Sequence, residues 1–171
     1  MRKNATIWIT GFIVISLVIY ISFRTYRLVR QQHDSKIRTA VIPDLPLLNL
    51  DSTAYRVSPR KNQFLLIIFF NPSCEYCQAE AREIKSKIDR FSGSSVLMIS
   101  SSLISEIRAF AQEYSLQDNP VVTFAKINPN EVFQSFGSLS IPHTFIYGKD
   151  KQLIREFKGE ASVDIIIKYL E

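Results

Sequence analysis

The chain has 171 residues, about one domain's worth, of which 46% are hydrophobic, 22% charged and 12% aromatic. Five glycines and seven prolines exclude a collagen-like or low-complexity chain, two cysteines exclude a disulfide scaffold, and two histidines leave little for a multi-histidine metal site. The net charge of +5 is concentrated at one end: residues 1–38 hold seven basic residues against Asp34 alone, net +6, and the rest holds 14 basic and 15 acidic residues, net −1. A near-neutral body predicts no nucleic-acid partner.

Residues 7–23, IWITGFIVISLVIYISF, contain no charge. At about 1.5 Å per residue they reach roughly 25 Å, which Ala5, Thr6 and a snorkelling Arg24 extend towards a hydrocarbon core of about 30 Å. Trp8, Tyr20 and Tyr26 fall near the two ends, where aromatic rings favour the interface. The run is long for a signal-peptide core, and Arg24-Thr25-Tyr26-Arg27 offers no small-residue cleavage site. Residues 1–23 are therefore expected to form one transmembrane helix, touching membrane lipid through residues 7–23. Residues 24–41 are basic and without clear periodicity, which predicts a juxtamembrane linker. By flank charge alone, Arg24, Arg27, Arg30, Lys36 and Arg38 would keep the remainder of the chain in the cytoplasm.

Residues 42–171 alternate element types. Leu45–Leu50 and Tyr55–Val57 read as short strands, the first an edge strand because Pro43 and Pro46 precede or interrupt it. Phe64–Phe70 is seven apolar residues in a row, which predicts a strand buried on both faces. Cys77, Ala81, Ile84, Ile88 and Phe91 form the stripe of one helix. Val96–Ser100 is a second buried strand. A helix comes next, capped by Ser102 or Ser105 and carrying Ile107, Phe110, Ala111 and Tyr114. Val121–Phe124 is strand-like, and a short helix at Glu131–Phe136 ends at Gly137. His143–Tyr147 and Leu153–Phe157 flank a Gly148–Lys151 turn as a hairpin, and Val163, Ile166, Ile167 and Leu170 line a last helix. This order predicts an α/β domain whose mixed sheet has a parallel core and an antiparallel edge.

Both cysteines lie in Cys74-Glu75-Tyr76-Cys77, between the buried strand and a helix. Unpaired backbone N–H groups at a helix start favour negative charge, and i, i+3 spacing brings two sulfurs within disulfide reach. The junction exposes Cys74 and turns Cys77 onto the buried stripe. A structural zinc site would need more ligands than His33 and His143 supply. Two inert buried cysteines are the other alternative to a redox dithiol.

The stretch FFNPSCEYCQAE resembles the active-site segment of membrane-anchored thioredoxin-like thiol–disulfide oxidoreductases of the TlpA/ResA type. IPDLPLLNLD is similar to that family's lead-in strand, and SIPHTFIY to the segment carrying its cis-proline. The resemblance implies a thioredoxin-like fold with an N-terminal β-hairpin extension. It makes Cys74 the attacking thiol, Cys77 the resolving thiol and Pro142 the cis-proline, with the Ile141 backbone exposed to pair with an extended substrate. Phe70-Asn71-Pro72-Ser73 replaces the Trp-Ala-x-Trp of many relatives, and Ile68 stands where thioredoxin has a buried acid. Glu80 is then the candidate acid near the dithiol, or else an ordinary exposed carboxylate. Glu75 sets a negative charge between two potential thiolates, which favours a reductant over an oxidant. His143 is placed to tune Cys74, to touch substrate or to pack.

In such a protein Cys74 attacks a protein disulfide substrate and Cys77 resolves the mixed disulfide. No cofactor, metal or flavin is required, and electrons come from a membrane dithiol protein. Relatives place the domain on the extracytoplasmic side of the bacterial cytoplasmic membrane, where disulfides form, so the resemblance implies a periplasmic domain on a single-pass anchor despite the flank charges. Competing functions are a copper(I) metallochaperone using Cys74 and Cys77, with His143 as an optional third ligand, and a non-catalytic binding module.

Overall fold

The computed structural model describes residues 2–58 and 62–171. The chain divides into two units, residues 1–37 and 38–171.

The first unit belongs to a single helix, α1 (Arg2–Thr39). Helix thus continues through most of the segment expected to be a linker without periodicity. The physical reason is the absence of a breaker: no glycine or proline occurs between Gly11 and Pro43. The described apolar side chains between Phe12 and Phe23 are 53–74% exposed. Among the described residues, no helix is long and apolar enough to cross a membrane. The side chains of residues 2–11 and 13, where the uncharged run begins, lie outside the described residues.

The second unit is built on a seven-stranded mixed sheet. Its strands are β1 (Leu47–Leu48), β2 (Ala54–Tyr55), β3 (Phe64–Phe69), β4 (Ser94–Ser100), β5 (Val122–Ile127), β6 (His143–Tyr147) and β7 (Leu153–Lys158). They lie in the order β2-β1-β5-β4-β3-β6-β7. The central β3, β4 and β5 run parallel, and antiparallel pairs close both sides. The first strand is not the edge expected from its prolines: β1 pairs with β5 through Leu47↔Ile127, and β2 is outermost. Pro46 precedes the two ladder residues, so it takes no donor from the ladder.

Both faces of β3 are buried because helices or packed segments cover each. Leu66, Ile68 and Phe70 point into one cluster with residues of α2 (Glu75–Ser86), α3 (Ile104–Glu113) and α5 (Val163–Ile167). Leu65, Ile67 and Phe69 point into the other, with Phe136 of α4 (Pro129–Phe136). On the first face Phe70, Phe110 and Phe124 meet in tilted and edge-on contacts with centroids 4.7–6.4 Å apart. On the second, Phe69 meets Phe136 edge-on at 4.8 Å. Each fully buried ring of this kind contributes roughly 1.5–3 kcal/mol.

Three helix ends depart from expectation. The Cys77 stripe does not stay on one helix: α2 ends at Ser86, and Ile88–Phe91 is a separate 3₁₀ turn that still buries Phe91. The N-cap of α3 is Leu103, not Ser102 or Ser105; its N–H donates to the Glu106 carboxylate at 3.1 Å, so the helix's own third residue satisfies the free donor. The short helix α4 starts at Pro129, two residues before the expected Glu131, because Asn128 caps it by accepting from the Asn130 N–H; it ends as expected at Gly137, whose φ of +78° favours glycine.

Candidate active site

The dithiol stands where the polypeptide leaves β3. Beyond Phe69, the Phe70 N–H still donates to Ile99 of β4 at 2.9 Å, and the chain then turns. Asn71 makes the turn: its side-chain oxygen accepts from Ser73 N–H at 2.9 Å, and its carbonyl accepts from Cys74 N–H at 3.0 Å. Gln78 braces it by donating to the Pro72 carbonyl. Cys74 is the N-cap of α2, in extended conformation and half-buried, and Cys77 one turn later is 1% exposed. Both are free thiols. The unequal burial gives them unequal chemistry. Burial above all pushes the Cys77 thiol up to about 12; the Asn71 backbone amide works against this, and the neighbouring Cys74 and Glu80 add to it.

Glu80 is not an ordinary exposed carboxylate. It is 5% exposed and shares the inner face of α2 with Cys77. Thr144 of β6 donates to its Oε1 at 3.4 Å, and Oε2 is buried without a hydrogen-bond partner. Burial pushes its carboxyl up to about 7, opposed by the Thr144 bond and reinforced by the charges of Glu83 and Glu160. Ile68, at 0% exposure, offers no carboxylate from the strand below. Glu80 therefore exchanges its proton near neutral pH, beside a thiol that holds its proton tightly.

The register of β6 brings the remaining candidates to the same edge. Because β6 runs antiparallel to β3 with His143 opposite Phe69, the residues before His143 sit beside the turn after Phe69. The Ile141–Pro142 bond is cis, and the Pro142 carbonyl accepts from Gly159 N–H at 2.9 Å. Ile141 is 40% exposed and lines a hollow of about 270 Å³ with Phe70, Asn71, Ile99 and Val132. Cys74, Cys77, Glu80, Ile141 and Pro142 thus gather at one end of the sheet.

The His143 side chain does not join them. Strand alternation sends Thr144 to the Glu80 face and His143 to the other, where it is 1% exposed and stacked on Phe145 at 4.7 Å. There its Nε2 also lies 2.9 Å from Glu156 Oε1. The copper reading rests on Cys74 and Cys77, to which His143 is only an optional addition, and alternation along β6 puts that ring on the face opposite Thr144. Among the described residues, no group of three or more His, Cys, Asp or Glu side chains is arranged to hold a metal ion.

Sequence reasoning passed over Asn71, Thr144 and Glu156. Asn71-Pro72-Ser73 carries a turn signal, and Thr144 is a polar residue in an apolar strand on the Cys77 side. Glu156, which meets His143 Nε2 at 2.9 Å, needed the β6–β7 register to be found.

Several solved structures share this fold. A peroxiredoxin-like protein from Aquifex aeolicus superposes with TM-score 0.65 and 16% identity, over 77% of this chain and 84% of that one. A secreted Mycobacterium tuberculosis disulfide oxidoreductase homologous to E. coli DsbE gives 0.61 and 14%, over 72% and 91%. StoA from Bacillus subtilis gives 0.60 and 14%, over 77% and 99%. At these identities the likeness is one of fold, and it establishes the thioredoxin-like α/β architecture with its mixed sheet. No curated protein sequence matches the chain. The AhpC/TSA family profile matches residues 39–156, about two thirds of the sequence, and the chain belongs to that family.

Proposed function

We propose that this protein is a membrane-tethered thiol–disulfide oxidoreductase of the TlpA/ResA type that reduces protein disulfides outside the cytoplasm. The observation that carries the reading is the asymmetric dithiol: a half-buried Cys74 at a helix start, a buried Cys77 behind it, and a buried Glu80 on the same face. The Cys74 thiolate attacks a substrate disulfide, forming a Cys74–substrate bond and releasing one substrate thiolate. Cys77 gives its proton to Glu80 and attacks Cys74. The mixed disulfide breaks, the Cys74–Cys77 disulfide forms, and the electron pair leaves on the second substrate sulfur. Ile141 and Pro142 lie beside the Phe70–Asn71 turn that leads to Cys74, and in this reading the Ile141 backbone pairs with an extended substrate segment. A membrane dithiol protein returns two electrons to the pair.

The anchor part of the proposal rests on the uncharged run 7–23 lying within one continuous helix whose described apolar side chains are more than half exposed. The extracytoplasmic placement rests on the family resemblance and on where a disulfide reductant is useful. Equilibrating the full-length protein with a glutathione couple tests the chemistry: a reversible two-electron transition is expected, and redox inertness would leave a binding module. Alkaline phosphatase fused after Glu171 is expected to be active, whereas activity of a cytosolic reporter there would reverse the orientation.

A further inference from the structure

The turn that carries Cys74 has little packing to hold it: Asn71 and Ser73 are exposed and Pro72 is half-buried. Hydrogen bonds to one peptide group hold it instead. Of the peptide between Pro72 and Ser73, the carbonyl accepts from Gln78 Nε2 at 2.9 Å, and the N–H donates to Asn71 Oδ1 at 2.9 Å. A carbonyl only accepts, so the Gln78 amide presents its NH₂ there. Two side chains, one before the peptide and one on the helix after it, therefore fix the plane of that group. The next N–H, that of Cys74, donates to the Asn71 carbonyl at 3.0 Å. Gln78 also holds the far side of Cys74, its backbone N–H donating to the Cys74 carbonyl at 3.0 Å. Cys74 depends on such support because it is the N-cap of α2, extended at φ −86° and ψ 118°, with no side-chain cap hydrogen bond. The turn before it sets the direction of its side chain, whereas Cys77 is held by the helix and by burial.

We propose that Gln78 and Asn71 are a positioning clamp that holds Cys74 ready for Cys77 and so raises the effective concentration of one thiol for the other. The clamp rests on the reading of the pair as a redox dithiol, and adds the residues that set how readily its disulfide closes. When oxidised glutathione is the oxidant, two electrons and both thiol protons leave the pair. The Cys74–Cys77 bond forms, the glutathione disulfide breaks, and two glutathione thiols are released. Without the clamp the reduced turn gains freedom that closing the disulfide must then remove. Clamp and disulfide restrain the same segment, so each strengthens the other.

Full-length protein is equilibrated with glutathione couples at one pH. The dithiol protein gives the overall oxidation constant, Cys77→Ser protein gives the constant for the Cys74–glutathione mixed disulfide, and the quotient is the effective concentration. Gln78→Met keeps the side-chain length without the donor, and Asn71→Ala removes the acceptor; each is placed in both backgrounds. Either substitution is expected to lower the quotient about fivefold, the factor that one neutral hydrogen bond typically carries. The double variant is expected to fall little further, because either loss frees the same peptide group. A change confined to the reactivity of Cys74 divides out of the quotient. A quotient unchanged in either single variant, or losses that multiply in the double variant, would overturn the clamp and leave the dithiol standing. Wild-type protein inert to the couple would remove the dithiol reading and the clamp with it.

Discussion

Glu80→Gln removes a buried titrating group while keeping its shape and its ability to accept from Thr144. In the folded protein the carboxyl sits at about 7, against 4.5 for the free side chain. At about 1.4 kcal/mol per tenfold change in proton affinity, ionising it inside the fold costs roughly 3 kcal/mol more than ionising it in the unfolded chain. Between these two values the folded state holds a proton that the unfolded state has lost. The stability associated with protonated Glu80 is therefore complete below pH 4.5 and is lost as pH rises through about 7. Over pH 5 to 8 this amounts to roughly 2.5 kcal/mol of decline in the wild type that the Gln variant lacks. With a urea dependence of about 1–3 kcal/mol per molar, the gap between the two urea midpoints should change by about 1–2 M across that range. The assay is urea unfolding of the full-length reduced protein at pH 5, 6, 7 and 8, monitored by tyrosine near-ultraviolet circular dichroism. Contributions from His143 and every other shared group cancel in the comparison. Parallel midpoint curves for the two proteins would show that Glu80 ionises in the fold as freely as in solvent, and would remove it as a base for Cys77.

Three further outcomes are expected. Burial keeps the Cys77 thiol protonated and covered at pH 8, so iodoacetamide should label Cys74 first; peptide mapping that finds Cys77 labelled first would reverse their roles. In single-turnover resolution of a preformed Cys74 mixed disulfide over pH 6–9, Glu80→Gln should slow the step, and Thr144→Val, which removes the bond that lowers the Glu80 carboxyl, should move its acid limb to higher pH; unchanged profiles would assign the proton to solvent. Phe69→Ala, deleting a 2%-exposed ring that meets Phe136 and Phe145, should destabilise the second unit by about 3–5 kcal/mol in denaturant titrations, and a loss below about 1 kcal/mol would mean that this face is loosely packed.

What the sequence disclosed depends on how local each cause is. Seven apolar residues at Phe64–Phe70 and a CxxC directly after them mark a buried strand and an exposed junction without help from the rest of the chain. The extent of α1 was missed because periodicity is a signal of burial against a partner, and residues 24–39 form helix for want of a breaker instead. The place of β1 was misjudged because its neighbour β5 begins some 75 residues later, and proline content alone does not decide which strand is outermost. Glu80 could be placed on the Cys77 face from i, i+3 spacing. Its burial required Thr144, 64 residues away, to come against it. His143 is the converse: alternation along β6 puts it on the face opposite Thr144, but only a sheet covered on both sides makes that face an interior.

The division of labour between the two cysteines is the central claim, and trapping tests it most directly. Full-length Cys77→Ser and Cys74→Ser proteins are incubated with the same oxidised protein substrate, and mixed disulfides are counted by non-reducing mass analysis. Cys77→Ser should accumulate a stable Cys74–substrate disulfide, and Cys74→Ser should accumulate almost none, because the buried Cys77 is both covered and protonated. Equal trapping by the two variants, or trapping through Cys77 alone, would contradict it.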